Sequence, residues 1–143
     1  MANLEPLIQS IPVAPLKLAS LEGCRTLADQ VNNYLVSFRH ESPTNVGQAD
    51  SLQGYCADSY LLECECPRFG SGEGKGVLKE SVRGCDLFIM VDVTNYSLTY
   101  RVNGYENHMS PDNHYQDLKR IISAADGKAR RINVIMPFLY EGR

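Results

Sequence analysis

No run of apolar residues in this 143-residue chain approaches the ~20 needed to cross a bilayer. The opening residues, MANLEPLIQSIP, lack the basic start and apolar centre of an export signal. A cytoplasmic protein with no membrane partner is therefore expected. An excess of one charge is also missing, since 14 Lys and Arg against 17 Asp and Glu leave a net charge of −3. That balance exerts no general pull on nucleic acid, which is set aside as a partner. A paired cysteine framework is absent too. The five cysteines are odd in number and carry no export context, so they read as reduced thiols. Cys64-Glu65-Cys66 has no second pair at zinc-site spacing, and no metal site is assigned there.

Two phosphate-cradling signatures are missing as well, although glycine is plentiful between Arg68 and Gly76. A Walker loop needs glycine five positions before Gly74 and a hydroxyl residue after Lys75, where the chain has Phe69 and Gly76. A dinucleotide fingerprint needs glycine where Lys75 stands and a loop that runs from strand to helix.

What is present alternates strands with helices. Leu16 to Ala19 is an expected first strand. Ser20 is expected to cap a helix of about five turns, whose stripe is Leu21, Cys24, Leu27, Ala28, Val31, Tyr34, Leu35 and Phe38. Arg39 to Asp58 reads as a loop with a short helical turn at Asp50 to Gln53. In Tyr60 to Cys66, Leu62, Cys64 and Cys66 share one strand face and Glu63 and Glu65 the other, and Pro67 closes the strand. The glycine-rich stretch follows as a flexible loop. Leu87 to Val91, LFIMV, is apolar on both parities and is expected to be covered on both faces.

Between Asn95 and Met109 the pattern turns polar and tyrosine-rich. Asn103-Gly104 there predicts a type I′ turn between Val102 and Tyr105 in a segment placed as a flap. Tyr96, Tyr100 and Tyr105 are read as interface or loop packing. Ser110 as N-cap and Pro111 at the first position start a second helix with the stripe Tyr115, Leu118, Ile121, Ile122 and Ala125, ended by Gly127. His108, Asp112 and His114 lie close in sequence, but the helix start turns them apart. Lys128, Arg130 and Arg131 read as an offset to the helix dipole. Ile132, Val134, Ile135 and Met136 predict another buried strand. The whole predicts one α/β domain over residues 1–143, with a mainly parallel sheet flanked by helices.

Around the glycine loop the chain resembles ribose-phosphate pyrophosphokinase, which makes phosphoribosyl pyrophosphate from ATP and ribose 5-phosphate. The resemblance rests on Arg68, Phe69-Gly70-Ser71-Gly72-Glu73, then Glu80-Ser81-Val82-Arg83-Gly84-Cys85-Asp86 and the strand Leu87 to Val91. Leu118-Lys119-Arg120, Ala125, Arg130-Arg131-Ile132, Val134 to Phe138 and Arg143 extend it, and residues 39–59 and 95–109 stand as insertions. It implies a three-layer phosphoribosyltransferase-like domain, the first of two in tandem, joined in a homo-oligomer. It also implies that Phe69 stacks on adenine across a subunit interface, that Ser71 and Glu73 accept from its amino group, and that Arg143 meets ATP phosphate. Ser81 and Arg83 match a regulatory phosphate site, and Mg2+ accompanies the ATP. Two departures stand out. Ser71 replaces an Asp or Asn, and nothing like the family's Asp-Asp-x-x-Asp-Thr-Gly-Gly sugar and magnesium loop occurs. The first expectation is therefore an N-terminal domain inactive alone, with the catalytic domain beyond Arg143. Its rivals are a non-catalytic regulatory homologue that assembles with active subunits, and a stand-alone binding module.

Overall fold

The computed structural model describes residues 14–41 and 54–142. The helical turn expected at Asp50 to Gln53, and Arg143, lie outside the described residues. β1 (Leu16–Ser20) leads through a single 3₁₀ turn (Glu22–Cys24) to α1 (Arg25–Glu41), and β2 (Leu61–Leu62) returns to the sheet. A hairpin of β3 (Cys64–Glu65) and β4 (Val77–Leu78) precedes β5 (Asp86–Met90). A second hairpin, β6 (Thr99–Val102) and β7 (Tyr105–His108), precedes α2 (Pro111–Ala124) and β8 (Arg131–Ile135).

The main sheet has the order β2-β1-β5-β8, and every pairing in it is parallel. β5 lies at its centre, with Leu87 and Ile89 at 0% exposure and Met90 at 1%. Alternate side chains explain why both faces are dry. Leu18, Phe88 and Met90 meet Cys24, Ala28 and Val31 around α1, while Ala19, Leu87 and Ile89 meet Leu118 and Ile121 of α2 and Ala125 just after it. The result is the expected α/β arrangement of three layers, helix, sheet, helix. Each fully buried aliphatic side chain contributes about 1.5–3 kcal/mol, so the central strand dominates the core.

Several boundaries depart from the sequence reading. Ser20 ends β1 rather than capping α1, and its hydroxyl donates to the Leu21 carbonyl at 2.9 Å. The cause is sheet pairing that runs one residue further, since Leu21 N–H donates to Met90 O at 3.0 Å. The α1 stripe also sits differently. Ala28 and Asn32 are buried, whereas Leu27 is 39% and Tyr34 62% exposed. Asn32 earns its inward place by accepting from Tyr60 N–H at 2.8 Å, where the chain enters β2. The helix also continues to Glu41, past the expected loop start at Arg39.

The strand expected over Tyr60 to Cys66 alternates as predicted but divides at Glu63 between two sheets, because β3 pairs antiparallel with β4. β8 is not the buried strand expected. Val134 is 42% and Ile135 37% exposed, because β8 is the outermost strand and nothing among the described residues covers its far edge. Other expectations hold. Asn103 and Gly104 both have positive φ, 51° and 82°, and join β6 to β7 in a two-residue turn. Ser110 caps α2 by accepting from Asn113 N–H at 3.2 Å, with Pro111 at its start.

Gly76 is where the β3–β4 hairpin meets α2 backbone to backbone. A Cβ there would fall within the van der Waals radius of the Arg120 carbonyl and 2.9 Å from Ile121 N. Gly76→Ala is therefore expected to lower stability by about 2–3 kcal/mol. Gly84→Ala, at φ 70° with open space around it, should cost only about 1 kcal/mol. Urea midpoints for the two variants check both values, and equal losses would contradict the backbone clash. The thiols supply a pH prediction. Burial pushes Cys24 and Cys64 up to about 11 and Cys66 to about 12, with Asp117 adding to the last. An unfolded thiol ionises near 9.0, so above that pH the unfolded chain sheds protons that the folded chain keeps. Stability should fall as pH rises from 9 towards 12. A urea midpoint that stays level between pH 8 and pH 10 would contradict it.

Candidate functional site

Because the main sheet is all parallel, the chain leaves β2 and β5 at the same carboxyl edge. Both hairpins are built there. Ligands of open α/β sheets sit at this edge.

The glycine-rich stretch is a hydrogen-bonded hairpin rather than a loose loop. Its base is the pairing of Cys64 with Leu78 and Glu65 with Val77, braced outside by Lys79 on Glu65 at 2.6 Å. Further out, Lys75 N–H donates to Pro67 O at 3.1 Å, and Arg68 and Gly74 form an isolated bridge. The tip closes when Phe69 N–H donates to Glu73 O at 2.8 Å and Gly72 N–H to Phe69 O at 2.9 Å. Gly72 has φ 89°, which a side chain would disfavour.

The tip brings Phe69, Ser71 and Glu73 together. Phe69 is 53% exposed, an aromatic ring left open on a rigid turn. Ser71 Oγ donates to a Glu73 carboxylate oxygen at 3.1 Å. That bond uses the hydroxyl hydrogen, leaving the Ser71 lone pairs and the second Glu73 oxygen as acceptors aimed at solvent. A ring to stack on and acceptors beside it suit a planar heterocycle carrying an amino group.

Below the tip lies a feature that the sequence reading missed. Arg68 donates from both terminal nitrogens to Asp117 of α2, at 2.6 and 2.9 Å, and the side chains are only 7% and 6% exposed. Arg120 donates to the same carboxylate at 2.6 Å. The Arg68 guanidinium also lies 5.1 Å from the Tyr100 ring centroid of β6. One side chain thus ties the first hairpin, α2 and the second hairpin together. Gly74 makes room for it, since a Cβ there would collide with the Arg68 guanidinium and reach 2.8 Å from Arg120 Cζ. The available signal was Asp117 standing one turn before Ile121 on the helix stripe, a charge on an inward face that needs a partner.

Ser81 and Arg83 are placed elsewhere. They lie on the turn that feeds β5 and so at the amino edge of the sheet, away from Phe69. Ser81 Oγ accepts from Arg83 N–H at 3.3 Å, and Gly84 N–H donates to Lys128 O at 2.9 Å, which sets this turn against the approach to β8. The Arg83 side chain is exposed. Arg131 does not serve a helix end but grips the buried Asp86, which Asn133 also contacts at 2.9 Å. Lys128 pairs with Asp126 at 3.0 Å.

His108, Asp112 and His114 are turned apart. His108 stacks on Tyr96 at 4.7 Å, His114 Nε2 lies 2.8 Å from Asn95 O, and Asp112 accepts from Tyr140 Oη. That last bond pushes the Tyr140 phenol up to about 12. With Tyr140 stacked on Tyr115 at 4.3 Å, it folds the segment after β8 back onto α2. Arg143, assigned to ATP phosphate, lies outside the described residues. Among the described residues no group of His, Cys, Asp or Glu is arranged to hold a metal ion. No helix among them is long and apolar enough to cross a membrane.

No curated protein matches the chain. Among protein-family models, the one described as the N-terminal domain of ribose phosphate pyrophosphokinase matches residues 16–143, from the first residue of β1 onward. With its parallel three-layer core and the Phe69 and Ser81 to Arg83 segments all inside that match, the chain belongs to this family of ribose phosphate pyrophosphokinase N-terminal domains.

Proposed function

We propose that the chain serves as the N-terminal domain of an enzyme that transfers the pyrophosphoryl group of ATP to ribose 5-phosphate, making phosphoribosyl pyrophosphate for nucleotide biosynthesis. Its own part is adenine recognition and subunit contact. Phe69 stacks on the base, the Ser71 and Glu73 oxygens accept from the exocyclic amine, and Arg143 meets ATP phosphate. The observation that carries this reading is the Phe69 ring, 53% exposed on a hydrogen-bonded turn with two acceptor side chains beside it. An aromatic ring exposed on a hydrogen-bonded turn is suited to stacking on a planar partner.

Sugar handling and chemistry belong to a second domain of the same enzyme, and the isolated domain is inactive. Phosphoryl transfer relies on positioning and charge stabilisation. In this reading Mg2+ accompanies the ATP phosphates. Ser81 and Arg83 take a regulatory phosphate, for which an exposed arginine and a hydroxyl residue on one turn are suited. Assembly into a homo-oligomer is supported by the exposed apolar side chains Val134, Ile135, Phe138 and Leu139.

Phe69→Ala should weaken ATP binding by roughly tenfold or more, in line with the loss of one base-stacking ring, while leaving affinity for inorganic triphosphate unchanged. Equilibrium titration of the two proteins with both ligands measures this. Unaltered ATP affinity in the variant would remove adenine recognition from the loop. An enzyme containing this domain that forms no phosphoribosyl pyrophosphate from ATP and ribose 5-phosphate would overturn the reaction itself.

A further inference from the structure

We propose that the cavity at the crossover between β1 and β5 is a binding site for a short hydroxycarboxylate, with Arg25 meeting the carboxylate and His114 accepting from the hydroxyl. Phe69 takes no part in its lining, and the site does not rest on the adenine reading.

Topology places the cavity. β1 and β5 are parallel neighbours at the middle of the sheet, but the chain leaves β1 for α1 on one face and β5 for α2 on the other. Where adjacent strands send their connections opposite ways, a crevice opens beyond their carboxyl ends. Here the crevice is roofed. Its lining comes from the turn after β1, the base of the first hairpin, the start of β6 and the inner face of α2. The space is about 120 Å3. A cavity of roughly 150 Å3 holds one benzene, so this one admits about five or six non-hydrogen atoms.

The walls are held in place. Arg68, fixed on Asp117, lies 5.1 Å from the Tyr100 ring centroid. The second hairpin also rests on the first, since a Cβ on Gly72 would lie 3.9 Å from Val102 Cγ2 and one on Gly70 3.9 Å from Asn103 Oδ1.

One atom of the lining calls for a donor. His114 is 3% exposed, and its Nε2 lies 2.8 Å from Asn95 O. A carbonyl only accepts, so Nε2 carries the hydrogen, and in the neutral ring Nδ1 is left as an acceptor. No described residue bonds Nδ1. Every fully buried side-chain nitrogen or oxygen among the described residues has a partner. Nδ1 is therefore not sealed in the packing, and it opens onto the cavity that His114 lines.

The charges call for an anion. Arg68 and Arg120 share the single carboxylate of Asp117, which leaves positive charge in excess beside the cavity. Arg25 adds an exposed guanidinium at the mouth, with no ion pair among the described residues. Its charge reaches inward, for burial pushes the Cys64 thiol up and Arg25 opposes that rise. The other carboxylates of the lining do not cancel this, because Glu65 is bound by Lys79 at 2.6 Å and Glu22 is exposed to water. Apolar walls complete the site. Leu21 and Met109 are 8% and Ile121 0% exposed, and a short carbon chain covers them where an inorganic oxyanion would not.

The test titrates the whole chain with lactate, propionate and inorganic phosphate, reading affinity by calorimetry and the His114 ring nitrogens by 15N NMR. Lactate carries a hydroxyl and a carboxylate at the size of the cavity, propionate lacks the hydroxyl, and phosphate lacks the carbon chain. Lactate is expected to bind and to shift the Nδ1 resonance, and propionate to bind about fivefold more weakly for want of one hydrogen bond. Arg25→Ala removes an exposed side chain, so the circular dichroism spectrum should not change, while lactate affinity should drop about tenfold or more. Phosphate binding as tight as that of lactate overturns the hydroxycarboxylate assignment. Lactate binding that leaves Nδ1 unshifted, or that survives Arg25→Ala at full strength, lies elsewhere and overturns the site. No lactate binding in the millimolar range leaves the cavity to ordered water and overturns the proposal outright.

Discussion

The ion pair between Arg68 and Asp117 is the constraint on which the candidate site depends. Both side chains are almost fully removed from water, and burying either charge alone would be expensive. The cost is offset by geometry, because a guanidinium fork donating twice to one carboxylate is a strong and specific pairing, and Arg120 adds a third donor to Asp117. The hairpin that carries Phe69 must therefore lie along α2, and the backbone contact at Gly76 lets it lie close enough.

From this follows a division of the domain into two ends. At the carboxyl edge of the sheet, two hairpins replace the plain loops that a minimal α/β unit would need, and Arg68 clamps them together through Tyr100. At the amino edge, Asp86, Arg131 and Asn133 hold the starts of β5 and β8 in register, and the Ser81 to Gly84 turn is pinned to the segment before β8. The core between them is apolar on both faces of β5. The residues proposed to bind at either end are thus carried on turns whose backbones are bonded to rigid neighbours.

Local chemistry made much of the chain readable in advance. The both-parity apolar run at Leu87 to Val91 can only be comfortable between two helical layers, and Asn103-Gly104 selects its turn through the positive φ that both residues accept. Ser110 and Pro111 mark a helix start through one acceptor and one missing donor. The reading erred where a neighbour decided the outcome. Ser20 lost its capping position because Met90 captured the next amide. Val134 and Ile135 looked like core residues, yet they stand on an outermost strand, and strand position in a sheet leaves no mark on a run of five residues.

The amino-acid order alone determined the parallel three-layer core and the grouping of Phe69, Ser71 and Glu73 on one turn, because periodicity, turn chemistry and short-range spacing act within a few residues. It did not determine which distant groups would meet. The pairing of Arg68 with Asp117, the approach of the second hairpin to Gly70 and Gly72, and the exile of Ser81 and Arg83 to the far edge came only with the tertiary structure. Such contacts join residues separated by tens of positions and depend on the directions in which whole elements leave the sheet.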